Sequence, residues 1–187
     1  MDTSISRKDF LTKATFIGVC GMLTGILQTQ KQPAAFDPNL LLNVDEGEIY
    51  LIGERKGRVT IKIGKQKNGI QTMSLLTEDI GPGDEIPVHK HSSEEEFIFI
   101  ENGTGIFTFG DEEYKVTAGS MALVPRTVWH GLRNESEENL RMVFGYTPAG
   151  FENYFRAIGV KPGAPSQKLS SEDWKRINSK YGVVYRD

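Results

Sequence analysis

Between Glu48 and Pro148, short apolar and β-branched runs are broken at close intervals by Gly, Asn, Asp and Glu. This is the spacing of an all-β sandwich or barrel, and no helical period appears in the stretch. The runs predict strands at Glu48–Gly53, Arg58–Ile63, Gln71–Glu78, Ile86–His91, Glu95–Glu101, Thr104–Phe109, Glu112–Val116, Met121–Val124, Trp129–Asn134 and Asn139–Thr147. Asn102-Gly103 predicts a tight hairpin turn between the fifth and sixth of them. After Pro148 the period changes. Phe151, Tyr154, Phe155 and Ile158 recur at helical spacing up to Gly159, Lys161–Ser166 forms a loop, and Ser170 or Ser171 can cap a last helix through Trp174 and Ile177. This aromatic stripe is read as a cover for the β-core rather than a cofactor site.

Composition narrows the picture. A chain of 187 residues, 38% hydrophobic and 25% charged, accommodates one globular domain with short extensions. The expected division is 1–35, an N-terminal segment and linker; 36–148, the β-barrel; and 149–187, a helical extension packing on it. A net charge of −3 argues against a protein that grips a phosphate backbone with clustered positive charge, so nucleic acid is not an expected partner. The lone Cys20 forms no internal disulfide. Arg7, Lys8 and Lys13 precede a weakly polar run, Ala14–Leu27, that matches a signal-peptide core in length and is short for a membrane span. Ser6–Leu11 resembles the twin-arginine export signal, with Lys8 in place of the second arginine. The resemblance implies an exported or periplasmic protein with no stable membrane span after processing. Without export, the segment reads as an N-terminal helix of a cytoplasmic protein.

The sequence contains three histidines, all in β-context near a carboxylate-rich segment. Residues two apart on a strand share a face, so His89 and His91 offer imidazoles side by side while Lys90 points away. A turn through Ser92–Glu95 then starts a strand at Glu96, which brings a carboxylate opposite the rings, and His130 starts a further strand. Three neutral imidazoles and a carboxylate suit one divalent transition metal (Fe, Ni, Mn, Co, Cu or Zn) and leave coordination positions open. Glu94 and Glu95 read as turn residues, not ligands.

The run Gly83-Asp-Glu-Ile-Pro-Val-His89-Lys-His91-Ser-Ser-Glu-Glu-Glu96-Phe-Ile-Phe-Ile-Glu-Asn-Gly103 resembles the first motif of the cupin superfamily at each defining position. Gly119-Ser-Met-Ala-Leu-Val-Pro125-Arg-Thr-Val-Trp-His130-Gly-Leu-Arg-Asn134 resembles the second, with Thr127 where the family usually has glycine. The spacer between Gly103 and Gly119 is short, as in bacterial single-domain cupins. The resemblance covers roughly Glu48 to Pro148 and implies an antiparallel double-sheet jelly-roll barrel with a metal held by His89, His91, Glu96 and His130. A β-branched residue resists the left-handed region, so Thr127 predicts a turn without a strongly positive φ.

Cupins include dioxygenases, isomerases, decarboxylases, lyases and binding proteins, so the pocket must select the chemistry. Strand phase, anchored on inward-facing ligands, puts Ile98 and Leu132 on the pocket side, where they suit a flat apolar substrate or simply fill the core. The stretch Thr147–Gly159 resembles that of bacterial single-domain cupins of the quercetin 2,3-dioxygenase-like kind. This implies a metal-dependent dioxygenase acting on a small phenolic or enolic compound, with Glu96 as the candidate catalytic base. Two alternatives stay open. One is a non-catalytic cupin that binds a small ligand. The other is a metal-dependent isomerase or lyase, which requires polar groups such as Arg133 and Arg141 to face inward. A homodimer is expected at the level of the family, through an exposed sheet edge.

Overall fold

Residues alternating between interior and solvent build two antiparallel sheets. The computed structural model describes residues 40–53 and 57–186. Its elements are β1 (Glu48–Ile52), β2 (Arg58–Ile63), α1 (Lys65–Asn68), β3 (Ser74–Ile80), β4 (Glu85–His91), β5 (Glu95–Asn102), β6 (Thr104–Phe109), β7 (Glu112–Thr117), β8 (Met121–Val124), β9 (His130–Arg133), β10 (Leu140–Thr147), α2 (Glu152–Ile158), β11 (Gly159–Val160), α3 (Ser171–Tyr181) and β12 (Val183–Tyr185). One sheet runs β11-β1-β2-β3-β10-β5-β8 and the other β12-β4-β9-β6-β7, the two layers of an all-β jelly roll. Ligand residues from both sheets meet between them, so the interior separates the layers.

Period-two patterning sets that interior. In the larger sheet Ile61, Leu76, Phe144 and Ile98 lie in register across four strands, and all four are buried. In the smaller sheet Leu132 pairs with both Ile86 and Phe107. Each such side chain stabilises the fold by about 1.5–3 kcal/mol relative to exposure. Gly103 makes the β5–β6 hairpin possible: its φ is 88°, and a Cβ there would meet the Leu140 backbone at 2.8 Å.

The strands match the expected pattern, with shifts where turns intervene. β3 starts at Ser74 instead of Gln71 because α1 and its left-handed Gly69 cap occupy the preceding connection. β3 then runs on to Ile80, paired with Leu140. Trp129 and Asn134 fall outside β9. The capping box at α3 uses Ser170: its hydroxyl accepts from the Asp173 amide, and the Asp173 carboxyl accepts from the Ser170 amide.

Thr127 corrects the expected turn geometry. Its φ is 66°, the left-handed region, and no other non-glycine described residue has a positive φ. Two backbone bonds hold it there: the Thr127 amide donates to the His91 carbonyl at 2.8 Å, and the Val128 amide donates to that of Pro125 at 3.3 Å. Tertiary pairing with the end of β4 therefore overrides a local cost of about 1–2 kcal/mol. The export signal expected within 1–35 lies outside the described residues. Among the described residues no helix is long and apolar enough to cross a membrane.

Candidate metal centre

β4 presents His89 and His91 on one face, β9 presents His130 from the neighbouring strand, and β5 presents Glu96 from the opposite sheet. His89 and His130 are directly paired across β4 and β9. The four side chains are buried, and each offers one ligand atom such that all four atoms lie within 4.8 Å of one another. Ring centroids of His89 lie 4.9 Å from those of His91 and 4.2 Å from those of His130. Neither Glu94 nor Glu95 joins the cluster; Glu95 opens β5 and Glu94 lies in the turn before it. Lys90 points away, its ammonium 4.3 Å above the Trp129 ring.

Second-layer contacts set the imidazole tautomers. His89 Nδ1 lies 2.8 Å from the Pro87 carbonyl and His130 Nδ1 lies 3.1 Å from that of Val128. A carbonyl only accepts, so each Nδ1 carries the proton and each Nε2 turns a lone pair inward, the form a metal requires. His130 Nε2 and His91 Nε2 sit 2.9 Å and 3.1 Å from the same carboxylate atom, Glu96 Oε2. A lone pair facing a carboxylate at that distance is favourable only if a proton or a cation stands between them.

Burial would lower the His130 pKa, yet the hydrogen bond and charge of Glu96 raise it above the ordinary imidazole value. Burial would raise that of Glu96, yet hydrogen bonds to His130 and His91 hold its carboxyl far below the usual range. Burial, then His130 and His91, push His89 well down, so its ring is neutral. His91 Nδ1 is buried with no hydrogen-bond partner. A buried set of three imidazoles and one carboxylate, converging on a point that needs positive charge, fits a divalent transition metal.

His89 and Glu96 also line a cavity of about 420 Å³. Its walls include Phe144 and Tyr146 of β10, Phe151, Phe155 and Ile158 of the α2 region, and Trp174 of α3. Burial first, then the charges of Glu96 and Glu78, raise the Tyr146 phenol well above its ordinary range and keep it protonated. The helical stripe that predicted a cover thus does two things: it packs on the sheet and walls the cavity.

The expected pocket residues lie elsewhere. Ile98 and Leu132 are buried on the inward face, as phase required, but neither lines this cavity. Ile98 lines a second cavity with Ile100, Phe107 and Met121. Phase names the face of a strand but not which strand a cavity lies against: the cavity follows Tyr146, Phe144 and Met142 of β10, the partners of Glu96, Ile98 and Ile100 on β5. Arg133 pairs with Glu113 and Glu135, and Arg141 with Asp79 and Glu101, so neither guanidinium enters the cavity. Four polar residues the sequence did not single out line it: Glu78, Tyr146, Asn178 and Tyr185. Alternation through Leu76, Glu78 and Ile80, and through Phe144 and Tyr146, carried a signal for two of them. Tyr185 carried none, because nothing local predicts that it pairs with His89.

Residues 76–146 match the cupin domain family model. The chain is 28% identical over 154 residues to quercetin 2,3-dioxygenase of Bacillus subtilis (strain 168), a match spanning 79% of this chain and 44% of the relative. It is 31% identical over 80 residues to the dimethylsulfoniopropionate lyase DddW of Ruegeria pomeroyi, spanning 43% of this chain and 51% of the relative. The chain therefore spans about half the length of these curated relatives. The fold is similar to that of a predicted oxalate decarboxylase from Thermotoga maritima (TM-score 0.53, 17% identity, 58% of this chain and 98% of that one). The motifs and the family match place a cupin domain at residues 76–146, within the two-sheet fold.

Proposed function

We propose that this cupin is a metal-dependent dioxygenase acting on a small phenolic or enolic compound. The observation that carries the reading is the opening of the His89 and Glu96 side chains into a cavity with mainly aromatic and aliphatic walls. Its volume of about 420 Å³ suits a small molecule. A flat ring finds apolar contacts on Phe151, Phe155 and Trp174 while one of its oxygens meets the ligand cluster. The similarity to a quercetin 2,3-dioxygenase over 79% of the chain supports the same substrate class.

Three histidines and Glu96 would hold the ion, and the Pro87 and Val128 carbonyls would fix the orientation of His89 and His130. A bound transition metal supplies Lewis acidity to a phenol or enol oxygen and electron transfer to O₂. Glu96 takes the substrate hydroxyl proton on its carboxylate, and the apolar walls exclude bulk water. O₂ is the oxidant, and both its atoms enter the ring-cleaved product.

Arg133 and Arg141 are engaged in ion pairs outside the cavity, which removes the polar lining that an isomerase or lyase of the expected kind would use. The test is oxygen uptake by metal-loaded protein with phenolic substrates, run with and without air. Substrate loss should require oxygen and fall by about 10²–10⁴-fold in Glu96→Ala. Unchanged turnover in Glu96→Ala overturns the base role, turnover without oxygen favours an isomerase or lyase, and binding without turnover favours a non-catalytic cupin.

A further inference from the structure

The four ligands are not held in the same way. His89 and His130 each turn Nδ1 to a backbone carbonyl, those of Pro87 and Val128, so the main chain beside each ring fixes it. His91 has no such bond: its Nδ1 is buried without a hydrogen-bond partner among the described residues. Its imidazole instead meets two aromatic rings close to right angles, Phe151 at 4.4 Å and 78° and Tyr146 at 5.2 Å and 75°. Glu96 stands apart again, on the sheet opposite the histidines.

Tyr146 reaches both of these ligands. It is 3% exposed and lies directly opposite Glu96 in the β5–β10 pairing. A side-chain hydrogen bond joins its phenol to the Glu96 carboxyl, and because an ionised carboxylate only accepts, the phenol donates. The tyrosine itself has little freedom. Its ring lies 4.4 Å from that of Phe151 and 5.8 Å from that of Phe144, and pairing with Ser74 on β3 holds its backbone from the other side. One clamped side chain thus meets His91 through its ring and Glu96 through its hydroxyl.

We propose that Tyr146 is the positioning residue of His91 and Glu96, its ring setting the imidazole and its hydroxyl the carboxylate, as the Pro87 and Val128 carbonyls do for His89 and His130. The inference rests on the metal reading of the ligand cluster and not on the dioxygenase reaction. Partners of metal ligands fix ligand orientation, and losing one typically lowers metal affinity by about 10–100-fold. The two contacts are separable, because phenylalanine keeps the ring and removes only the hydroxyl.

The experiment is cobalt(II) binding to the full-length protein, read both as affinity and as the visible absorption of the bound ion, which reports ligand geometry. Tyr146→Phe should lower cobalt affinity about tenfold and shift the absorption bands, since Glu96 loses its donor. Tyr146→Leu, which removes the ring as well, should lower it about 100-fold. Phe107→Leu truncates a buried aromatic that does not line the metal cavity. It should leave both readings at wild-type values, which separates positioning from a general loss of packing. Should Tyr146→Leu fail to fold, Tyr146→Phe against Phe107→Leu decides the matter. Wild-type affinity and bands in Tyr146→Phe overturn the inference and leave the metal centre standing, and equal losses in the two Tyr146 variants overturn the part given to the ring. If the wild type takes up no cobalt, the metal centre falls and the inference with it.

Discussion

The metal centre and the aromatic wall beside it meet in one cavity but are built on opposite principles. The centre takes its four ligands from three strands of the two sheets, β4 and β9 on one side and β5 on the other, and leaves imidazole lone pairs and a carboxylate converging on a shared point. It is polar, buried and incomplete without a positive charge. The wall comes from the C-terminal extension, and its polar atoms engage one another through Tyr154, Tyr185 and Asn178. Its stability comes from packing and needs no ion. The difference teaches that the ligand cluster and the wall are built from separate parts of this chain, and changes to each should leave the other in place.

The sharpest separation comes from the ligands. His89→Ala/His130→Ala should lower metal affinity by more than about 100-fold, because even outer-layer partners of ligands contribute 10–100-fold. Mass-spectrometric metal analysis against wild type measures this, and an unchanged near-ultraviolet dichroism spectrum would report an intact wall. Metal retained at the wild-type ratio would remove the centre from the comparison altogether.

The converse change is Glu152→Ala. Glu152 is fully buried at the start of α2, where its two carboxyl oxygens accept from the Lys65 and Gly150 amides, each at 2.7 Å. Losing both bonds should cost about 2–3 kcal/mol in a urea titration. Metal content should hold while affinity for phenolic ligands falls. Loss of metal in this variant would show that wall and centre are one unit.

A smaller effect is expected from the Glu48 and Arg156 pair, which ties β1 to α2 through contacts of 2.7 and 3.2 Å. The hydrogen bond to Arg156 lowers the Glu48 pKa against the opposing effect of burial. A carboxyl depressed in the folded state contributes stability above its ordinary range and loses it as pH falls through that range. Glu48→Gln should therefore cost about 1 kcal/mol at neutral pH and progressively less towards about pH 3. A difference that is flat with pH would deny the pairing. Smallest of all, Thr127→Gly should relieve the left-handed strain and raise stability by up to about 1 kcal/mol, the greater freedom of glycine in the unfolded chain offsetting part of the gain. Thermal unfolding measures it, and metal content should not change.

How much of this was legible in advance differs sharply by region. Ten strands, two helices and the inward phase of His89, His91, Glu96 and His130 follow from spacing, because a strand's faces alternate at a fixed period and neighbouring strands joined by short turns pair with one another. The helix over Glu152–Ile158 was visible as an aromatic stripe, yet its second use as a cavity wall was not. Ile98 and Leu132 show the same limit from the other side: both face inward, and the cavity is lined by their cross-strand partners Phe144 and Ile86 instead.

The amino-acid sequence by itself determined the β-architecture and the set of metal-competent side chains, since period, turn residues and ligand types are local properties. Only the tertiary structure decided what surrounds them. Tyr185 stands 96 positions after His89 in the chain and lies directly opposite it because β12 completes the edge of the smaller sheet. Thr127 adopts a conformation its side chain disfavours because the His91 carbonyl captures its amide. In both cases backbone groups distant in sequence satisfied their hydrogen bonds together, and such long-range pairing leaves no trace in the local pattern of residues.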